Sequence, residues 1–165
     1  MRKTATNVQE RTVVSQHTVA EVWLDSDTQQ QSLHALIHLK PGDKIADFSA
    51  GELLATPTYL TVQVAQNKHI MLMPKFLQYI NHSCDPNVFF NTTAMEVICL
   101  KEIQAGEEFR FFYPSTEWEM SQPFVSNCGS SNCLQLINGA SHLSDETLVR
   151  YRLSDFIKKQ VSHRL

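Results

Sequence analysis

The sequence predicts a mainly β fold with a helical C-terminus, on three observations. Short runs rich in β-branched and aromatic residues recur from Thr12 to Tyr113. Turn formers separate them at close spacing, at Pro41-Gly42-Asp43, Asn91-Thr92-Thr93 and Gln104-Ala105-Gly106. Only the stretch from Ser144 onward carries a helical period.

Each element follows from its residues. Thr12 to Leu24 mixes Val13, Val14, Val19, Val22 and Trp23 with polar residues and predicts strands. Gln29 to Leu39 reads as extended chain closed by Pro41-Gly42-Asp43, and His34 and His38 fall within it rather than on a metal-binding helix face. Ile45 to Leu54 predicts two short strands broken at Ala50-Gly51. Thr58 to Ala65 alternates, with Tyr59, Thr61, Gln63 and Ala65 on one side and Leu60, Val62 and Val64 on the other, a half-buried strand. Val88 to Phe90 and Ala94 to Lys101 form a strand pair, and Glu108 to Tyr113 a further short strand with Phe111 and Tyr113 on one face and Phe112 on the other. Ser144 caps the helical end, with Asp145 and Glu146 suited to the positive end of its dipole. Leu148, Val149, Tyr151, Leu153, Phe156, Ile157 and Val161 give a broken period: one helix, or two with a break near Ser154.

Composition narrows the function. The chain has 165 residues, 42% hydrophobic and 19% charged, enough for one core. Its net charge of −3 argues against a general basic surface for nucleic acid. Met1 to Gln9 is polar and no apolar run reaches the length of a membrane span, so the expectation is the cytoplasm or nucleus, not export, and no membrane partner. Cys84, Cys99, Cys128 and Cys133 are then read as thiols rather than disulfides.

The chemistry concentrates in two runs. Asp85-Pro86-Asn87 is a turn former, and Asn81 and His82 before it offer an amide and an imidazole from one loop, suited to a polar ligand. Taken alone, that pair is more often a surface turn with a satisfied histidine. The whole run Phe76-Leu77-Gln78-Tyr79-Ile80-Asn81-His82-Ser83-Cys84-Asp85-Pro86-Asn87, however, resembles the central motif of SET-domain protein-lysine N-methyltransferases. Gly106-Glu107-Glu108-Phe109-Arg110-Phe111-Phe112-Tyr113 resembles the second motif. Upstream, Lys40-Pro41-Gly42-Asp43-Lys44-Ile45 resembles the first block, and downstream Cys128-Gly129-Ser130-Ser131-Asn132-Cys133 resembles the cysteine-rich tail. The likeness spans roughly Thr12 to Leu143, a short single-domain form with a partial post-SET tail.

The resemblance implies several small curled sheets with a pseudoknot and a C-terminal helix. It divides the chain into a SET core over 1–114, a tail over 115–143 and a helical segment over 144–165. It implies S-adenosylmethionine held by Asn81, His82, Ser32 and Tyr113, and a lysine entering from the opposite face. Tyr113 would be the catalytic residue and Phe111 the residue limiting methylation degree. Tyr59 and Trp118 are further candidates for the channel. The substrate would be a protein or peptide lysine, histones among the candidates. A dry channel lowers a lysine's pKa toward the neutral nucleophile that methyl transfer needs.

Two departures from the family pattern matter. Gln30, Gln31 and Ser32 stand where the family has Gly-x-Gly, so side chains enter the cofactor loop. Ser126 stands where the tail has its first cysteine, leaving Cys84, Cys128 and Cys133 as an incomplete zinc site, and ordinary thiols are expected over zinc. Two other functions compete on these grounds: a SET-like enzyme acting on a small molecule, and an inactive SET-like binding module.

Overall fold

A computed structural model describes residues 10–164. The reading of Met1 to Gln9 lies outside the described residues.

The β-branched N-terminal runs form an antiparallel meander of β1 (Arg11–Gln16), β2 (Ala20–Asp25) and β3 (Gln31–Ala35). Val22, Leu33 and Ala35 turn inward and are fully buried. The expected pair of strands after the turn breaks at Phe48, not at Gly51: β4 (Lys44–Asp47) and β5 (Ser49–Leu54) enter different sheets. Gly51 lies instead at a register shift within β5, where an added Cβ would come within 2.7 Å of Met73 Cγ.

The strand expected over Thr58–Ala65 begins only at β6 (Thr61–Ala65), and Tyr59 lies in the preceding turn. β7 (Lys68–Met73) is central in its sheet, in the order β5-β7-β6, and has no counterpart in the sequence reading. Its His and Met residues lack the β-branched signature. The alternating burial of Ile70 and Leu72 nevertheless pins it to the core. A 3₁₀ turn over Lys75–Tyr79 leads to the very short β8 (Asn81–His82).

Next come β9 (Val88–Asn91) and β10 (Glu96–Cys99), the expected pair, which join β4 in the order β4-β10-β9. Of the strand predicted over Glu108–Tyr113, only β11 (Arg110–Phe111) is laddered, and Tyr113–Ser115 coils into a 3₁₀ turn. β11 pairs with β8 in parallel, Arg110 opposite Asn81 and Phe111 opposite His82. β12 (Phe124–Val125) and β13 (Leu136–Ile137) close a small tail hairpin. The described residues thus form five small sheets of two or three strands.

The helical end is two helices rather than one. Ser144 caps α1 (Asp145–Leu148) by accepting from Thr147 N–H at 3.2 Å, and Ser154 caps α2 (Asp155–Ser162) by accepting from Ile157 N–H at 3.3 Å. Two N-caps ten positions apart leave no room for one continuous helix. Leu148, Leu153 and Ile157 bury against Ala140, with Trp118, Leu143 and Tyr151 packed around them. This cluster is separate from the main core, whose largest buried side chains include Leu33, Ile70, Leu77, Ile80, Phe90 and Phe109. No described helix is long and apolar enough to cross a membrane.

Candidate active site

The two motifs meet at the parallel contact of β8 with β11. Ser83 N–H donates to Phe111 O at 3.0 Å and Asn87 N–H to Arg110 O at 3.0 Å. The side chain of Asn87 clamps the same junction. Its Nδ2 donates to Glu108 O at 2.9 Å, and its Oδ1 accepts from Arg110 N–H at 2.8 Å. The asparagine that ends a turn signature is therefore a staple between the motifs. Asn81 Nδ2 donates to Gln31 O at 3.0 Å and to Glu108 Oε1 at 3.2 Å, tying the central motif to β3.

Two cavities border this junction. One is polar, about 650 Å³, and is bordered by Arg11, Gln30, Gln31, Ser32, Asn81, His82, Glu108 and Arg110. Gln30, Gln31 and Ser32 line this space, and Ser32 Oγ is hydrogen-bonded with His34 Nε2 at 2.9 Å. The other is lined mostly by apolar groups, about 490 Å³, and includes Tyr59, Leu60, Val62, Leu72, Ile80, Phe111, Glu117 and Met120. Gln30, Tyr113 and Phe124 border both. Tyr113 thus stands in the partition between a polar and an apolar chamber.

Aromatic packing fixes that tyrosine. Its ring lies 4.7 Å from Phe111, 5.1 Å from His82 and 5.9 Å from Phe124. Burial, then the charges of Glu117 and Glu108, push its phenol up to about 12, so the hydroxyl keeps its proton. His82 is pushed down to about 4 by burial and then by Arg110, so its imidazole is neutral. Its Nδ1 accepts from Tyr113 N–H at 3.2 Å, which puts the ring hydrogen on Nε2, 3.4 Å from Cys84 Sγ. Phe112, on the opposite face from Phe111, stacks on Tyr151 at 3.6 Å.

The other candidates fall as follows. Tyr59 is 75% exposed, at the rim of the apolar cavity. Trp118 borders neither cavity. Its N–H donates to Gln63 Oε1 at 3.0 Å, and the Arg164 guanidinium lies 4.8 Å over its ring, within the C-terminal cluster. Glu117 and Phe124 border the apolar cavity without having been singled out in the sequence. Glu117 stands in Pro114-Ser115-Thr116-Glu117-Trp118, where no local pattern announces a buried carboxylate.

Sequence spacing favoured ordinary thiols over zinc, and the structure corrects this. The sulfur atoms of Cys84, Cys128 and Cys133 all lie within 4.8 Å of one another. Tetrahedral zinc, with Zn–S near 2.3 Å, wants its sulfurs about 3.8 Å apart, so the three thiols fit three corners of such a site after a small contraction. Two bonds draw the tail and the helical segment to Cys84: Asn132 Nδ2 donates to Cys84 O at 2.8 Å and Tyr151 OH to the same oxygen at 2.9 Å. Burial opposes ionisation of Cys128, but hydroxyls of Ser126 and Ser130 and nearby backbone N–H groups outweigh it and lower the thiol, whereas burial and the neighbouring thiols raise Cys84. A thiolate is what a metal takes. Ser126 sits against the cluster, its Oγ accepting from Cys128 N–H at 3.3 Å.

Comparison with known proteins agrees with the two motifs. A family model described as the SET domain matches residues 4–114. Methyltransferase flvH of Aspergillus flavus is 38% identical over 129 residues, 77% of this chain and 72% of that protein. Histone-lysine N-methyltransferase 2B of Homo sapiens is 31% identical over 67 residues, 37% of this chain and only 2% of that protein. A solved structure of a humanized mutant of the Chaetomium thermophilum Polycomb Repressive Complex 2, bound to the inhibitor GSK126, matches with a TM-score of 0.45 at 17% identity. That match covers 76% of this chain and 19% of the other.

Proposed function

The chain belongs to the SET-domain family, and we propose that it transfers a methyl group from S-adenosylmethionine to the side-chain amine of a protein lysine. The observation that carries this reading is the meeting of a polar and an apolar cavity at Tyr113. Asn81, His82, Ser32 and Tyr113 would hold the cofactor in the polar cavity, where side chains of both charge signs suit a zwitterionic amino-acid end. When bound there, S-adenosylmethionine supplies a methyl group already activated on a sulfonium cation, so the transfer itself needs no metal. Zinc at the thiol cluster would brace the tail, not take part in the reaction.

The rest of the work falls to this chain. The apolar walls formed by Leu60, Val62, Leu72, Ile80 and Phe111 disfavour an ammonium ion and favour the neutral amine that must attack. The Tyr113 hydroxyl, held protonated and fixed by three rings, orients the nitrogen and the incoming group along one line. Phe111 limits the space beside it for a methylated amine, and Tyr59 shapes the entrance. We divide the chain into the SET core over 1–114, the thiol-bearing tail over 115–143 and the helices over 144–165. The C-terminal cluster, separate from the main core, supports the boundary after the core; it joins Trp118, Ala140 and Leu143 of the tail to the helices.

Histones are the first substrates to test, because the human relative that matches part of the chain is named a histone-lysine N-methyltransferase. A histone substrate implies work in the nucleus. The test is tritium transfer from labelled S-adenosylmethionine to core histones, with cell extract and free amines in parallel. The expected result is labelled histone, reduced about a hundredfold or more in Tyr113→Phe. Absence of label in every sample, with no heat of S-adenosylmethionine binding, sinks the proposal.

A further inference from the structure

The apolar cavity holds a charged group that methyl transfer, as described above, leaves without a task. Glu117 is the only Asp, Glu, Lys or Arg among the described residues that line it. Its side chain is nearly shut off from bulk water, with the residue 6% exposed. Oε1 accepts from Gln63 N–H at 2.9 Å and from the Thr116 hydroxyl at 3.0 Å. Oε2 has no hydrogen-bond partner among the described residues, and a carboxylate oxygen has room to accept two. Glu117 and Tyr113 border the same cavity, and the Glu117 charge helps to hold the proton on the Tyr113 hydroxyl. Carboxylate and hydroxyl therefore address one space.

The two structural bonds made by Oε1 do not require an ionisable acid. Joining β6 to the turn after Tyr113 needs an acceptor for two donors, and a glutamine oxygen would serve. Burying an ionisable acid there costs free energy that an amide would not cost.

We propose that Glu117 is the amine-binding carboxylate of this cavity: it draws in a protonated alkylamine and accepts the amine's proton. This rests on the reading of the reaction given above. The N–H bond breaks with its electron pair left on nitrogen, and the proton goes to Oε2. The ion pair becomes a neutral amine and a neutral carboxylic acid. The dry surroundings favour that exchange from both sides, since they lower an ammonium's pKa and raise a carboxyl's. Burial has already pushed Glu117 up to about 7, against the pull of Gln63 N–H and the Thr116 hydroxyl.

Around Glu117 the titratable groups are Tyr113 and, at the rim, Tyr59 in the same cavity, and His69, paired with Gln63 across β6 and β7. Tyr113 keeps its proton, and burial pushes His69 down, which favours its neutral form.

The test is calorimetric binding of n-butylammonium, a mimic of the lysine side chain, with 1-pentanol, one methylene longer, as a neutral probe. The unaltered chain is expected to bind n-butylammonium, and Glu117→Gln to bind it at least about tenfold more weakly. Both should take 1-pentanol equally. In the unaltered chain the affinity should fall as pH drops from about 8 to about 6, because the protonated acid cannot attract a cation. That series needs no variant and stands if Glu117→Gln fails to fold. Failure of the unaltered chain to bind, equal binding by Glu117→Gln, or a flat pH profile overturns the inference. None of these measurements involves methyl transfer, so an inactive chain that binds the amine through Glu117 defeats the reaction and not this site.

Discussion

Asn87 ties together segments 21 and 23 residues apart through Nδ2 to Glu108 O at 2.9 Å and Oδ1 to Arg110 N–H at 2.8 Å. Asn87→Ala removes both bonds and leaves a partly buried carbonyl and N–H short of partners. At about 0.5–1.5 kcal/mol net for each bond, the loss is about 1–3 kcal/mol. For a chain of this size each kcal/mol lowers Tm by about 2–4 °C. Urea unfolding followed by circular dichroism measures the first quantity, and a thermal scan the second. The backbone bonds Asn87 N–H to Arg110 O and Ser83 N–H to Phe111 O remain in the variant, so the chain should still fold. Methyl transfer should fall further than the unfolded fraction accounts for, because Tyr113 follows directly from β11 and loses its fixed position. A change in stability below about 0.5 kcal/mol refutes the staple and assigns the junction to backbone pairing alone.

Three further predictions follow from the same site. The Glu117 carboxyl is raised from its ordinary 4.5 to about 7, so the folded chain holds a proton that the unfolded chain has lost between those values. Its stabilising contribution is full below about pH 4.5 and is lost as pH rises through about 7, about 3 kcal/mol in all. Glu117→Gln should remove that slope, and urea midpoints of both chains at pH 4.5 and 7.5 that keep a constant difference would refute it. Metal analysis of the purified chain should find zinc, lost in Cys128→Ser, and a chelator should lower Tm by several degrees. A zinc-free chain whose Tm ignores the chelator defeats the thiol site. Phe111→Tyr adds a hydroxyl next to Tyr113, 4.7 Å away between ring centres, and mass spectrometry should show fewer methyl groups on the product. An unchanged product distribution removes Phe111 as the limit.

Local chemistry was readable without a structure wherever neighbours along the chain decide the outcome. Ser144 before Asp145 and Glu146 is a helix start in any surroundings, and Ser154 repeats the device, which is why the tail breaks where it does. The alternation that sets Phe112 against Phe111 and Tyr113 is a property of extended backbone, and Phe112 indeed packs away from the cavity. β7 was invisible because methionine and histidine carry little strand preference, and its place comes from pairing on both edges.

The site depends on distances that no spacing encodes. Cys84 lies 44 residues before Cys128, and the two converge because β8 runs beside β11 and because Tyr151 and Asn132 hold the Cys84 carbonyl. Trp118 and Glu117 are adjacent in the chain, yet one packs under Arg164 and the other borders the apolar cavity. By itself the sequence determined the SET-family motifs, the turns and the helix caps, all written in short-range chemistry. Tertiary structure alone decided which carboxylate is dry and which thiols share a point, because burial and proximity are set by packing between distant segments.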